Sequence, residues 1–211
     1  MAFKNRRLLG NIFVSDGPME GVNRVPSGDH CFLIGHHPHP PRRLDSLART
    51  LRKKGYRYFN IFGQEDLLWK EAILRSFSGE ELPEIHTSKV AREEQAYALA
   101  LLSQTRPSRI NFVLSDDEFF TDYLMEDVQN ILSGNAPFSL SDWQEFLHGY
   151  EFRYHGKNAI LSLFSQGIVV GFLGKEKSYD SMWEAFQERV FDGRNFYDIW
   201  DELRNQRKEK E

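Results

Sequence analysis

One segment of the sequence carries a strand, a helix and a second strand in succession: residues 31–62, CFLIGHHPHPPRRLDSLARTLRKKGYRYFNIF. The run at 31–34 is apolar without alternation, which is typical of a strand buried on both faces. Residues 44–54 repeat leucine and alanine at helical spacing, and residues 56–62 are again rich in aromatic side chains. Two strands joined by a helix predict a parallel pair, because parallel neighbours need a long crossover.

The same alternation continues on both sides of this segment. Further strands are predicted at 11–14, 84–87 and 109–114, and helices with one apolar stripe at 65–77, 92–104 and 117–132. Ser115 with Glu118 is the pattern of a capping box at the start of the last helix. The fold class is therefore α/β, with a mainly parallel, Rossmann-like sheet flanked by helices. The usual Gly-x-Gly-x-x-Gly fingerprint of dinucleotide binding is absent.

The pattern changes after about residue 135. A short helix from Ser139 precedes three strand-like segments at 150–155, 158–164 and 168–173, which predict an antiparallel meander, and two helices at 178–190 and 195–204. We divide the chain into an α/β core, 1–135, and an α+β extension, 136–211. We expect both to pack on one core, with the meander extending the parallel sheet, because a piece of roughly 70 residues has little core of its own.

Composition excludes several classes of protein. The 211 residues carry a net charge of −4, which argues against a general nucleic-acid binder. A single cysteine, Cys31, allows no intrachain disulfide. No apolar run approaches the ~20 residues that span a bilayer, so we expect no membrane association and a cytoplasmic location. Residues 106–211 hold 12 basic and 19 acidic side chains, a balance that would suit a basic partner.

Polar side chains follow most of the predicted parallel strands. Ligands of open parallel sheets bind outside the carboxyl ends of the strands, so these residues are expected to share one edge. The candidates for this edge are Asp16, His36, His37, His39, Gln64, Asp116 and Asp117. The acidic turns 64–66 and 115–118 are both explained by a structural role, since carboxylates stabilise helix N-termini. The pair Asp116 and Asp117 would also suit acid–base chemistry or Mg²⁺ binding.

The histidine loop supports two kinds of ligand. The imidazoles of His36, His37 and His39 are potential metal ligands, with carboxylates from neighbouring loops, although their spacing matches no established metal motif. Arg42 and Arg43 begin a helix, whose amides and dipole attract a phosphate or carboxylate group. A small anionic ligand is therefore the second possibility at the same loop, and the sequence identifies no cofactor.

Two functions remain open at this stage. The first is a non-catalytic binding or regulatory protein that acts through protein–protein contacts or as a homodimer. It is favoured by the lack of a nucleophile elbow and by the aromatic helices that carry Trp183 and Trp200. The alternative is an anion-binding or metal-dependent enzyme that uses the carboxyl edge of the sheet. The sequence leaves open whether the protein is an enzyme.

Overall fold

The structure is a computed structural model that describes residues 5–15, 25–79, 81–88, 92–164 and 167–208. The chain divides into two compact units, Met1–Val128 and Gln129–Glu211. The sequence-based boundary at 135, and the packing of both parts on one core, stay predictions.

The first unit contains a six-stranded sheet and its helices. In chain order these are β1 (Asn5–Leu9), β2 (Ile12–Ser15), β3 (His30–Gly35), α1 (Pro41–Lys53), β4 (Tyr58–Gly63), α2 (Asp66–Ser76), β5 (Glu84–Ser88), α3 (Arg92–Thr105), β6 (Asn111–Ser115) and α4 (Glu118–Leu132). The strand order is β1-β2-β6-β3-β4-β5. The five strands from β2 to β5 are parallel, and β1 pairs antiparallel with β2. The predicted mainly parallel α/β sheet is confirmed; β1 was not predicted, and the Rossmann-like label stays a prediction.

The apolar pattern of the sequence explains which strands are central. Every residue of β3 and β6 is buried, as the lack of alternation predicts. Helix α1 buries Leu44, Leu47 and Leu51 against a core that also contains Phe59 and Trp69. This packing fixes the ends of β3 and β6, from which the polar loops begin.

The strand order reverses between β3 and β6. From β3 the chain moves to β4 and then β5 in one direction, whereas β6 lies on the opposite side of β3. The pairs Ile34–Ser115 and Gly35–Gly63 bring the carboxyl ends of β3, β6 and β4 level. Such a reversal opens a crevice in which open α/β sheets bind ligands.

The start of α4 differs from the sequence prediction. Strand β6 continues through Ser115, so this residue cannot cap the helix. Asp117 takes that position, because its Oδ1 accepts the backbone N–H of Phe120 at 2.9 Å. The Ser115 hydroxyl instead accepts the Asp117 N–H at 3.1 Å.

The second unit has an antiparallel sheet. Its elements are α5 (Leu140–His148), β7 (Tyr150–Tyr154), β8 (Lys157–Phe164), β9 (Gly167–Phe172), β10 (Lys177–Tyr179), α6 (Met182–Gln187) and α7 (Phe196–Lys208). The order is β10-β9-β8-β7, so the predicted meander is confirmed and gains a fourth strand. The expectation that the meander extends the parallel sheet is wrong, because these strands form a sheet of their own.

An aromatic core explains how this shorter unit supports its own sheet. Phe138 lies 5.3 Å from Phe146 and 5.2 Å from Phe186, measured between ring centroids, and Phe196 lies 5.0 Å from Phe186. Such rings bury large apolar areas, and aromatic pairs favour centroid separations of about 4.5–7 Å. The ring-rich composition therefore supplies the core that length alone would not.

The last predicted helices need one correction. Residues 177–179 pair with β9 instead of beginning a helix, and α6 is confined to Met182–Gln187. Its N-cap is Ser181, whose side chain accepts from the Glu184 N–H. Trp200 is buried, whereas Trp183 is half exposed, so these two tryptophans do not form one exposed patch. Among the described helices, none is long and apolar enough to cross a membrane.

Candidate functional site

The loop after β3 is fixed by one carboxylate at the end of β6. The backbone N–H groups of His36 and His37 donate to Oδ1 and Oδ2 of Asp116, each at 2.9 Å. The side chain of Asp116 is only 2% exposed, and its own N–H donates to the Ile34 carbonyl at 3.2 Å. Asp116 therefore holds the loop across the strand reversal, and both of its oxygens are occupied in doing so.

A second carboxylate, Glu65, holds the middle of the same loop. Its Oε1 accepts the backbone N–H of His39 at 2.8 Å, and its Oε2 lies 2.9 Å from His39 Nδ1. Asp116 Oδ2 lies 3.6 Å from the same nitrogen. All three side chains are at least nine-tenths buried. The His39 ring is therefore buried between two carboxylates and links Glu65 to Asp116 inside the protein.

Glu65 is not among the site residues that the sequence predicts. Its position in the sequence indicates a helix-capping carboxylate, but the Glu65 side chain makes no cap hydrogen bond to α2. The available signal was its place directly after β4, which neighbours β3 in a parallel sheet. Gly63 contributes to this close approach, since its φ is +115° and a Cβ there would lie 2.2 Å from the Gly35 carbonyl oxygen.

His36 and Asp117 form a more accessible pair at the same edge. Nδ1 of His36 lies 2.9 Å from Asp117 Oδ2, and the two side chains are 22% and 25% exposed. The imidazole also contacts Phe120 edge-on at 4.7 Å and Phe62 at 5.5 Å between centroids. These contacts fix both the position and the rotation of the ring.

The state of Asp117 determines which nitrogen of His36 carries the proton. Burial desolvates the carboxyl and opposes ionisation, but hydrogen bonds from His36 and from the Phe120 N–H outweigh it, so the pKa of Asp117 lies below its ordinary value. An ionised carboxylate only accepts hydrogen bonds. The neutral ring therefore carries its proton on Nδ1, and the lone pair lies on Nε2. Within the described residues, no hydrogen bond engages Nε2.

The other predicted site residues are less closely involved. The side chains of His37, Arg42 and Gln64 are exposed, and Arg43 is partly buried on α1. Asp16 lies outside the described residues. The structure thus brings together His36, His39, Asp116 and Asp117, adds Glu65, and leaves the other predicted side chains at the periphery.

The first turn of α1 offers little to an anion. Pro40 and Pro41 have no N–H, and the amides of Arg43 and Leu44 both donate to the Pro40 carbonyl. Nor does the α4 N-terminus offer a free site, because Asp117 already caps it. The carboxyl edge therefore uses its own carboxylates where an anionic ligand would bind.

The same pairing involves the histidines that the sequence offered as metal ligands. In the part of the chain that the structure describes, no three His, Cys, Asp or Glu side chains are arranged to hold a metal ion. The Nδ1 atoms of His36 and His39 contact carboxylates, and Asp116 is committed to backbone N–H groups. These residues satisfy one another instead of converging on a cation.

Comparison with known proteins adds no functional information. No protein-family model matches the chain, no curated protein matches it, and no solved structure matches it.

Proposed function

We propose that the protein binds a small neutral or cationic molecule at the carboxyl edge and that His36 transfers a proton to or from it. The observation that carries this proposal is the 2.9 Å contact between His36 Nδ1 and Asp117. It leaves Nε2 with a lone pair at an edge where open α/β sheets bind ligands. A cytoplasmic location stays part of the proposal.

The chemistry follows from the arrangement of the pair. A hydroxyl group or water of the bound molecule gives its proton to Nε2, and the resulting imidazolium retains its Nδ1–H bond to Asp117. The positive charge then lies beside an ionised carboxylate. The deprotonated oxygen bonds to a carbonyl carbon, the bond from that carbon to its leaving oxygen or nitrogen breaks, and the proton moves from Nε2 to the leaving atom. Asp117 is the orienting group in this scheme, and the aromatic rings of Phe62 and Phe120 limit the rotation of His36.

Local charge favours a neutral or cationic molecule over an anion. Glu65, Asp116 and Asp117 contribute three carboxylates at this edge, and the backbone donors that would receive an anion already bind them. The anionic ligand expected from the sequence is therefore not what we propose for this edge.

Site-resolved labelling with diethyl pyrocarbonate tests the availability of His36 Nε2. His148 is a suitable internal reference, because its Nδ1 lies 2.7 Å from the Gln144 carbonyl oxygen and its side chain is exposed. We expect His36 to react at least as fast as His148 despite its greater burial, and D117N to slow His36 alone. The proposal fails if His36 remains unlabelled while His148 reacts.

Turnover provides a second test. Neutral p-nitrophenyl esters and cationic aminoacyl p-nitroanilides are the probes, with R49Q as a control at an exposed residue of α1. We expect any turnover to fall about 100-fold or more in H36Q, the usual contribution of a positioned acid–base group. Equal rates in the wild type, H36Q and R49Q would exclude His36 as the proton-transfer residue.

An exposed aromatic pair favours protein binding as a second candidate function. Phe119 and Tyr123 lie one turn apart on α4 and are 79% and 54% exposed. Large exposed rings at such spacing are typical of protein contacts. If this face binds a second copy of the chain, sedimentation will show a concentration-dependent dimer that F119S weakens. A monomer at all concentrations would count against the homodimer.

A further inference from the structure

The opposite edge of the parallel sheet carries a groove that the proposed function does not use. One part, with a volume of about 400 Å³, is lined by Asp29, Tyr58 and the turn from Thr105 to Arg109. An adjoining part of about 340 Å³ shares Asp29 and Arg109 and adds Lys54. We call the two parts the amino-edge groove, because Asp29 directly precedes β3 and the turn precedes β6. Its size suits a small molecule.

The charges of the groove are unbalanced. Arg106, Arg109 and Lys54 line it together with a single carboxylate, Asp29. Both guanidinium groups approach the same oxygen, Asp29 Oδ2, at 3.9 Å for Arg106 and 3.5 Å for Arg109. One carboxylate carries a single negative charge and cannot neutralise two guanidinium groups and the Lys54 ammonium, so the groove keeps a positive charge.

Among the described residues, the groove also contains side-chain donors and an acceptor that form no hydrogen bond. At these distances the guanidinium groups form ion pairs with Asp29, and neither side chain donates a hydrogen bond within the described residues. Arg106 is held in place by the Tyr58 ring, 5.3 Å from its centroid. The other oxygen of Asp29, Oδ1, is buried without a hydrogen-bond partner in the described part of the chain. The groove therefore presents donors for an anion beside the exposed oxygen of Asp29, Oδ2, since that side chain is 15% exposed and its Oδ1 is buried.

We propose that the amino-edge groove binds a small phosphate monoester that carries a hydroxyl group near its phosphate. Two guanidinium groups match a phosphate, whose charge is close to −2 at neutral pH, better than a singly charged carboxylate. Arg106 and Arg109 bind the phosphate oxygens, and Asp29 Oδ2, the oxygen that faces both guanidinium groups, accepts from the ligand hydroxyl. The site is independent of the proposed proton-transfer site at the carboxyl edge.

Calorimetric titration with three probes tests this proposal. The probes are ribose 5-phosphate, inorganic phosphate and ribose, at constant ionic strength in a buffer without phosphate. We expect ribose 5-phosphate to bind more tightly than inorganic phosphate, and ribose not to bind. The double variant R106Q/R109Q is expected to weaken ribose 5-phosphate binding at least about tenfold, since each lost charge-assisted hydrogen bond has that order of effect.

Matched variants separate the site from general charge effects. R49Q removes one positive charge from α1 outside the groove and should change affinity less than twofold. R109Q alone removes a side chain that is 62% exposed, and it keeps the test valid if the double variant does not fold. D29N should bind ribose 5-phosphate and inorganic phosphate with equal affinity. Wild-type affinity in the folded double variant, an equal loss in R49Q, or no phosphate binding by the wild type would overturn the proposal.

Discussion

The charged groups at the two edges of the parallel sheet differ in how closely they are paired within the protein. At the carboxyl edge, Asp116 and Glu65 bind backbone N–H groups and an imidazole at hydrogen-bonding distances. At the amino edge, Arg106 and Arg109 share one oxygen of Asp29 at longer distances. Polar groups of the first edge are paired within the protein, whereas those of the second remain available.

This difference separates residues that hold the fold from residues that can meet a ligand. A buried carboxylate with two amide donors stabilises its loop, and removal of the carboxylate leaves those donors unsatisfied. An exposed guanidinium contributes little to stability, because solvent screens its charge. His36 is the exception at the carboxyl edge, because its side chain is 22% exposed and, within the described residues, only one of its two ring nitrogens forms a hydrogen bond.

The largest expected effect is at Asp116, where a substitution tests whether the paired polar groups of the carboxyl edge stabilise the fold. D116A removes the acceptor of the His36 and His37 amides, whose hydrogen bonds to Asp116 are partly buried. We expect the free energy of unfolding to fall by about 3–6 kcal/mol, because each of the two lost hydrogen bonds to a charged acceptor contributes about 1.5–3 kcal/mol. Urea unfolding, followed by hydrogen exchange of the β3 amides, measures this loss. E81A, at an exposed carboxylate, should change it by less than about 0.5 kcal/mol; equal effects would contradict the distinction.

Acid pH is expected to affect the amino edge first. His30, the first residue of β3, has its pKa lowered from 6.5 to about 4, chiefly by burial, which disfavours the charged ring. The unfolded chain therefore binds a proton that the folded chain does not, and stability falls as the pH drops from 6.5 to 4. The shift corresponds to about 3 kcal/mol.

The variant H30Q tests this pH dependence. Its side chain retains a donor for Asn60 Oδ1, which His30 contacts at 3.3 Å, but it does not titrate. Urea unfolding between pH 7 and pH 4 should show a shallower loss in H30Q than in the wild type. H86Q, which replaces an exposed histidine of β5, should follow the wild type. Parallel curves for H30Q and the wild type would refute the assignment.

Asp117 is expected to give the smallest effect and a different pH window. Its pKa is lowered below 3.8, so its stabilisation is present above that pH and is lost as the pH falls through the lowered value. D117N should cost about 1 kcal/mol at pH 7, since its partners remain partly solvated. The difference between D117N and the wild type should persist at pH 5 and disappear in stronger acid. A difference that vanishes between pH 6.5 and 5 would indicate another group.

Much of the parallel sheet could be predicted from the sequence, because the apolar runs that mark buried strands are local features of the chain. Unbroken apolar runs identified β3 and β6, and the rule for parallel sheets placed the His36 loop beside Asp116. The sequence could not predict which carboxylate pairs with which histidine, because the pairing depends on the path of the loop through Pro38 and Pro40. Glu65 was therefore explained as a helix-capping residue, and Ser115 was assigned a cap that Asp117 provides.

The amino-edge groove was missed for a different reason. The rule for parallel sheets predicts ligands at the carboxyl ends of the strands, whereas the turn Arg106-Pro-Ser-Arg109 lies at the amino end of β6. The signal was present in the two arginines that immediately precede β6, together with Asp29 before β3. Connecting them requires the knowledge that β3 and β6 are neighbours, which follows from the strand order and not from spacing along the chain.

The protonation of the His36 ring tests the central claim most directly. Long-range ¹⁵N–¹H NMR of the imidazole resolves which nitrogen carries the proton at a pH where the ring is neutral. The pairing with Asp117 predicts a proton on Nδ1 and a bare Nε2 in the wild type, and a mixture of tautomers in D117N. A wild-type ring with its proton on Nε2, or an unchanged spectrum in D117N, would contradict the assignment of His36 as the proton-transfer residue.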